Sequence, residues 1–256
     1  MFSELNPTKD PDALARVFPT GDAGGLPSRV QAAFPRHVQS FRDNSTLLLE
    51  DEECRSVFYL IDGWLALSKS LTEGQTQIID FALPGEIVDP VSGDGVTSNV
   101  TVEALSDGAV IAVPYAGWER MTDDWRDLNH ALHRIESAQT ARRSERMLRL
   151  GKASAETRVA YALLEFCVRI DAACDRSSPA FHVPLTQQQL GDYVGLSSVH
   201  VCRTMRRMSR NGIIVMTNHM DIRVLDPQAM AALAGIDREN LRRRILPGSC
   251  GMHAGA

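Results

Sequence analysis

The chain has 256 residues, long enough for one large domain or two modest ones, and its composition, 44% hydrophobic and 23% charged, is that of a globular protein. A formal net charge of −5 excludes a protein that coats nucleic acid through overall basicity, so any DNA affinity must come from local clustering. No apolar run approaches the ~18 residues of a membrane span, and the five cysteines form no CxxC, which argues against a disulfide framework or a structural zinc site.

The opening MFSELNPTKDPD has no basic start followed by an apolar core, so no secretory signal is read and a cytoplasmic location is expected. Residues 1–30, with Pro7, Pro11, Pro19 and the run GDAGG, read as an N-terminal extension. Short helices fit Asp12–Phe18 and Ser28–Phe34. From Val38 to Pro114 the pattern turns to short β-rich runs: TLLLE, SVFYLI, GWLALSKSL, QTQIIDFAL, NVTVEAL and AVIAVP. Asp62-Gly63, Glu73-Gly74, Pro84-Gly85 and Asp107-Gly108 separate them as turns. Residues 31–117 therefore predict a β-sandwich or jelly roll. No histidine falls within 38–114, so a metal centre of the cupin kind lacks its ligands there.

Residues 118–151 predict a long helix, with Gly151 closing it. Leu128, Leu132 and Ile135 stand at i, i+4, i+7, and Gln139, Arg142 and Arg146 continue their line. Ala131, Ile135, Ala138 and Ala141 form a neighbouring stripe. A helix of roughly 25–30 residues exceeds the usual globular length and points to a helix partner; packing on the chain's own domain is the other way to cover that line. His130 and His133, at i, i+3, read as surface residues rather than metal or haem ligands. Ser154 is a candidate N-cap for the next helix, whose buried face is Val159, Leu163 and Phe166, with Cys167 beside it. A polar connection over 175–184 ends in the strand-like FHVPL.

The stretch LTQQQLGDYVGLSSVHVCRTMRRMSRNGII, Leu185–Ile214, holds the densest signal. Thr186 and Gln189 make a capping box, and Leu190 and Val194 an apolar stripe. Gly195 supplies the positive φ of a tight turn, Ser197 caps a second helix, and Asn211-Gly212 ends it. On that helix Val201, Met205 and Met208 share the core face. Val199, Cys202, Arg203, Arg206 and Arg210 lie opposite, flanked by His200 and Arg207. No acidic residue occurs from Ser197 through Met220, so the arginines repel one another unless an anion faces them. A helix-turn-helix that lays its second helix in the DNA major groove explains this pattern. Thr186, Gln187 and Gln188, at a helix N-terminus, suit a phosphate. IIVMTNHMDIRVLD then reads as a two-stranded wing around Asn218-His219, followed by a short helix at Gln228–Ala234. Residues 237–256, with RRR at 242–244, are expected to be a flexible tail.

Leu185–Ile214 resembles the helix-turn-helix of the Crp/Fnr family of bacterial transcription regulators, and YLIDGWLALSKSLTEGQTQIIDFALPGEIV resembles their effector domain. The resemblance implies an α+β chain: a cyclic-nucleotide-binding-like β jelly roll, a long dimerisation helix, and a C-terminal winged helix-turn-helix over 152–236. It implies a regulator rather than an enzyme, with double-stranded DNA, a second copy of the chain and RNA polymerase as partners and no membrane. Two reading helices must be held about 34 Å apart to meet successive major grooves, which assigns Leu128, Leu132, Ile135, Gln139 and Arg142 to the dimer face.

Transferred position by position, the family's base-reading arginine is Arg203, able to donate two hydrogen bonds to guanine. The glutamate that many members place four residues earlier is Val199 here, which suits a thymine methyl instead. Ser198, His200 and Arg206 are the next candidates for base or phosphate contact, with Ser197, Arg207 and Arg210 completing the face. In the effector domain, Asp89-Pro90 stands where cyclic-nucleotide-binding members carry Gly-Glu, and Ser98-Asn99 where they carry Arg-Ser. Losing that arginine removes the charge-assisted phosphate contact, so cyclic AMP binding is not expected. No cysteine precedes Cys54, so neither is an iron–sulfur cluster; no cofactor is expected and the effector stays open. Cys202, beside Arg203 near a helix N-terminus, is a candidate redox residue. The competing readings are a haem- or metal-dependent sensor or enzyme built on the β domain, and a cyclic-nucleotide receptor.

Overall fold

The structure, a computed structural model, describes residues 30, 33–174, 180–217 and 220–247. The helix expected at Asp12–Phe18 lies outside them; of that expected at Ser28–Phe34, Val30 and Ala33 are described as helical, and Phe34 N–H donates to the Val30 carbonyl at 2.9 Å.

Eight short strands follow a 3-10 turn at Pro35–His37: β1 (Val38–Phe41), β2 (Thr46–Leu48), β3 (Ser56–Asp62), β4 (Leu65–Ser70), β5 (Thr76–Ala82), β6 (Ile87–Val88), β7 (Thr101–Ala104) and β8 (Gly108–Pro114). They form two four-stranded antiparallel sheets, ordered β1-β8-β3-β6 and β2-β7-β4-β5. Side chains alternate across a strand, so β3 and β8 each send residues both ways. Phe58, Leu60, Val110 and Ala112 fill the space between the sheets, with Leu65, Ala82 and Val102. Val57, Tyr59, Ile111 and Val113 face outward into a second cluster with Met121, Leu128 and Ile135. Burial on both faces explains why SVFYLI reads as an unbroken apolar run. In β5 the register slips: Leu67 pairs with Asp80 and Ser68 with Ile78, leaving Ile79 as an extra residue. That bulge puts Ile78 and Phe81 in the same cluster, where regular alternation would have separated them.

The long helix expected over 118–151 is two helices, α1 (Tyr115–Asp124) and α2 (Arg126–Lys152). Trp125 breaks them in an extended conformation, φ −114° and ψ 91°. Asp123 and Asp124 stand in the last turn of α1, where the helix dipole disfavours carboxylates, and the Asn129 side chain satisfies the Thr122 carbonyl at 2.7 Å. Gly151 does not close the second helix, which runs one residue further.

The dimer face assigned from sequence is corrected. Leu128 and Ile135 are buried and Leu132 half-buried against the chain's own β3–β8 layer. The Gln139 side chain donates to the Ile87 carbonyl at 3.1 Å. Arg142 is 3% exposed and ion-paired to Asp80 and Glu86. Periodicity found the buried face of α2 correctly, but what covers it is the chain's own β domain. The outward face carries Ser137, Thr140 and Ser144, then Met147 and Leu148, 71% and 59% exposed.

The C-terminal part comprises α3 (Ala155–Cys174), β9 (Ala180–His182), α4 (Gln187–Val194), α5 (Ser198–Arg210), β10 (Ile214–Thr217), β11 (Asp221–Val224), α6 (Pro227–Ala234) and α7 (Arg238–Ile245). Strands β10, β11 and β9 form a small antiparallel sheet. The expected flexible tail is corrected over its first half, because Asp237 caps α7 and Leu241 and Ile245 are fully buried. Sequence reading gave weight to the arginines there and overlooked an apolar pair at i, i+4. The apolar core of this part is continuous with β5: Phe81 lies 5.5 Å from Phe166 and 4.6 Å from Tyr193 between ring centroids.

Candidate nucleic-acid interface

The helix-turn-helix is built as its local sequence dictates. The Thr186 hydroxyl accepts from Gln189 N–H at 3.1 Å, and Gln189 Oε1 accepts from Thr186 N–H at 2.8 Å. Gly195 sits in the left-handed region at φ +65°, and Ser197 Oγ accepts from His200 N–H at 3.4 Å to open α5. Gly191 lets the turn close: a Cβ there would stand 2.4 Å from the Leu196 carbonyl oxygen. Leu190, Val194, Val201, Met205 and Met208 anchor both helices in the core.

The opposite face of α5 is exposed. Val199 is 66% exposed, and Arg203, Arg206 and Arg210 share its side with His200 and Arg207 at the flanks. Ser197 is exposed, while Ser198 and Cys202 are half-buried. Arg207 stands 3.6 Å from Glu156 on α3, and Arg210 donates to the Arg206 carbonyl. Among the described residues, no carboxylate pairs with Arg203 or Arg206. At the start of α4, Thr186 and Gln188 are exposed and Gln187 half-buried, and Gln188 donates to Asp192 at 2.7 Å. The wing pairs Ile214 with Val224 and Thr217 with Asp221; its tip, Asn218-His219, lies outside the described residues. Cys167, by contrast, is a core thiol pushed up to about 12 by burial.

In the β domain the segments that stand at the two effector positions are tied to each other, with Asn99 N–H donating to the Pro90 carbonyl at 2.6 Å. Asp89 accepts from the Tyr115 hydroxyl at 2.6 Å, which also lies 3.4 Å from Cys54 Sγ. Burial, then the Asp89 hydrogen bond, raises that hydroxyl far above the usual tyrosine range. Ser98 is fully buried and donates to the Val100 carbonyl. A cavity of about 90 Å³ opens near Asp89, Trp118, Glu136 and Arg143, well below the roughly 300 Å³ at which small-molecule pockets begin. Among the described residues no three His, Cys, Asp or Glu side chains are placed to hold a metal ion, and no helix is long and apolar enough to cross a membrane.

One charged constellation escaped the sequence reading. Arg142 donates to Asp80 at 3.1 Å and to Glu86 at 3.3 Å; Arg146 donates to Asp80 at 3.3 Å and lies 3.6 Å from Glu165. Arg169 donates to Glu86 at 2.7 Å and to Glu165 at 3.4 Å. Tyr193 O–H donates to Glu165 at 2.7 Å, and its ring lies under Arg146. Burial by itself would raise the Asp80 carboxyl, but the three guanidinium groups outweigh it and hold it well below the usual range. The available signals were charges on apolar lines: Arg142 and Arg146 extending Leu128–Ile135, Glu165 and Arg169 at i, i+4 in an apolar helix, and Asp80 inside IIDFAL.

Comparison with known proteins agrees with this geometry. Residues 38–124 match the cyclic nucleotide-binding domain, and residues 157–233 the Crp-like helix-turn-helix domain. The transcriptional activatory protein AadR of Rhodopseudomonas palustris is 30% identical over 201 residues, covering 78% of this chain and 81% of AadR. The nitrogen fixation regulation protein FixK of Bradyrhizobium diazoefficiens is 29% identical over 195 residues, covering 76% and 80%. The solved structure of FixK2 from Bradyrhizobium japonicum superposes with a TM-score of 0.69 at 26% identity, over 77% of this chain and 96% of that one.

Proposed function

Because the chain belongs to the Crp/Fnr family of bacterial transcription regulators, we propose that it binds a two-fold DNA operator as a homodimer through α5 of each subunit. The observation that carries this reading is the exposed arginine face of α5, opposite a fully buried Val201–Met205–Met208 stripe. Arg203 donates to guanine O6 and N7, and Val199, one turn earlier, meets a thymine methyl. Ser198, His200 and Arg206 contact the flanking bases or phosphates. Ser197, Arg207, Arg210 and the α4 start at Thr186, Gln187 and Gln188 hold the backbone. The outward face of α2 forms the subunit contact: Ser137, Thr140 and Ser144 allow close approach, and Met147 and Leu148 supply exposed apolar surface. AadR is a transcriptional activator, which supports RNA polymerase as the further partner.

Selection of duplexes from a random library by the purified chain tests this reading. The expected product is an inverted repeat bound by a dimer; if each subunit neutralises about 4 phosphates, log K falls with log salt at a slope of roughly −7. A chain that stays monomeric and retains no duplex at low ionic strength would refute it. Cyclic AMP should give no heat in calorimetry at micromolar concentrations, since Asp89-Pro90 and Ser98-Asn99 offer no cation to its phosphate.

A further inference from the structure

We propose that the buried cluster of Asp80, Glu86 and Glu165 with Arg142, Arg146 and Arg169 is a positioning device that sets the angle of the DNA-binding unit, and through it the half-site spacing the dimer accepts. The inference rests on the homodimer–operator reading above.

The cluster lies where the geometry of α5 is decided. Only Ala153 and Ser154 separate α2 from α3, so the covalent link alone leaves the winged helix free to pivot. The six charged side chains span that junction: Asp80 comes from β5 and Glu86 from the β5–β6 connection, Arg142 and Arg146 from α2, and Glu165 and Arg169 from α3. Tyr193 extends the network into α4, two residues before the turn that launches α5. The Gln77 side chain on β5 donates to the carbonyls of Asp192 and Tyr193, the latter at 3.2 Å.

Three anions face three cations, and five of the six side chains are less than 10% exposed. Stability alone does not explain this choice. Taking ions out of water offsets most of their attraction, and apolar residues of similar size often hold a buried site as well or better. Buried charges add direction instead. The apolar contact here, formed by Trp64, Phe81, Phe166 and Tyr193, is held by burial, which is non-directional. Planar guanidinium forks lose their hydrogen bonds when rotated or shifted. The same cluster that makes one domain angle unique therefore makes one spacing between the two α5 helices unique.

The test uses the full chain and half-sites selected by it, arranged as inverted repeats with centres 9 to about 13 base pairs apart. The wild type should show one optimum near 10–10.5 base pairs, with roughly tenfold weaker binding one base pair away. The double variant Asp80→Leu/Arg142→Met removes one anion and one cation together. It should melt within a few degrees of the wild type and keep the same half-site bases, yet vary less than about threefold across adjacent spacings. Arg169→Lys keeps the charge without the fork and should broaden the same profile. A folded variant with the wild-type spacing profile overturns the proposal while leaving operator binding intact. Loss of the fold in both variants also overturns it, since the cluster is then a stability element. A wild type that binds no inverted repeat removes the operator reading and this proposal with it.

Discussion

Arg203 and Val199 are separated by one helical turn, about 6 Å of rise, less than two base-pair steps. Their contributions should therefore be separable at neighbouring base pairs. Arg203→Ala is expected to relax discrimination at one base pair per half-site by roughly 1–3 kcal/mol, measured on a panel of single-base operator variants. An equal loss on all sequences would make Arg203 a phosphate contact instead. For Val199, replacing the partner thymine by deoxyuridine deletes only a methyl group. Binding should weaken about fourfold per half-site, the value of burying one methyl, and Val199→Ala should lose the distinction. At this scale the sequence was informative wherever a residue acts through its own backbone neighbourhood. Thr186, Gly195 and Ser197 were legible as caps and turn because capping is local. Arg142 was misassigned because its spacing reveals that a face is buried, not whether another subunit or the same chain buries it.

Among the elements, α7 shows how a charged composition can hide a folded helix. Arg242, Arg243 and Arg244 dominate its sequence, but Leu241 and Ile245 fasten it to α2 and α3, and Arg244 pairs with Glu145. Leu241→Ala should cost about 2–5 kcal/mol in urea unfolding, the range for a deleted core side chain. A change below 0.5 kcal/mol, within the range of surface substitutions, would show α7 to be peripheral. The strands of the β domain were legible from turn dipeptides and apolar runs. The bulge at Ile79 was not, because an extra residue in one strand shows only against its partner. The α1–α2 break at Trp125 was equally hidden, as no proline or glycine marks it.

Over the whole molecule, the β domain and the winged helix share one apolar core and one buried charge network. This gives the stability an acid limb with a defined sign. The guanidinium groups lower the Asp80 carboxyl in the folded state, while unfolding returns it to about 3.9. The unfolded chain then binds more protons as pH falls, so the contribution of Asp80 is full above about pH 5 and is lost as pH drops through the folded value. The urea midpoint should stay level from pH 7 to about 5 and fall below about 4. Asp80→Asn should lower the plateau and flatten the descent; an unchanged descent would place the acid sensitivity elsewhere.

A winged helix cut from this chain at Ala155 and grafted onto a foreign β roll would arrive with Phe166, Glu165, Arg169 and Tyr193 turned toward a strand made for something else. Without the extra residue at Ile79, Ile78 and Phe81 point to opposite sides, and the graft meets half of its seat. A soluble chimera should therefore need β5 and residues 155–194 as a matched pair, and chimeras divided at the α2–α3 junction should be insoluble more often than chimeras divided elsewhere.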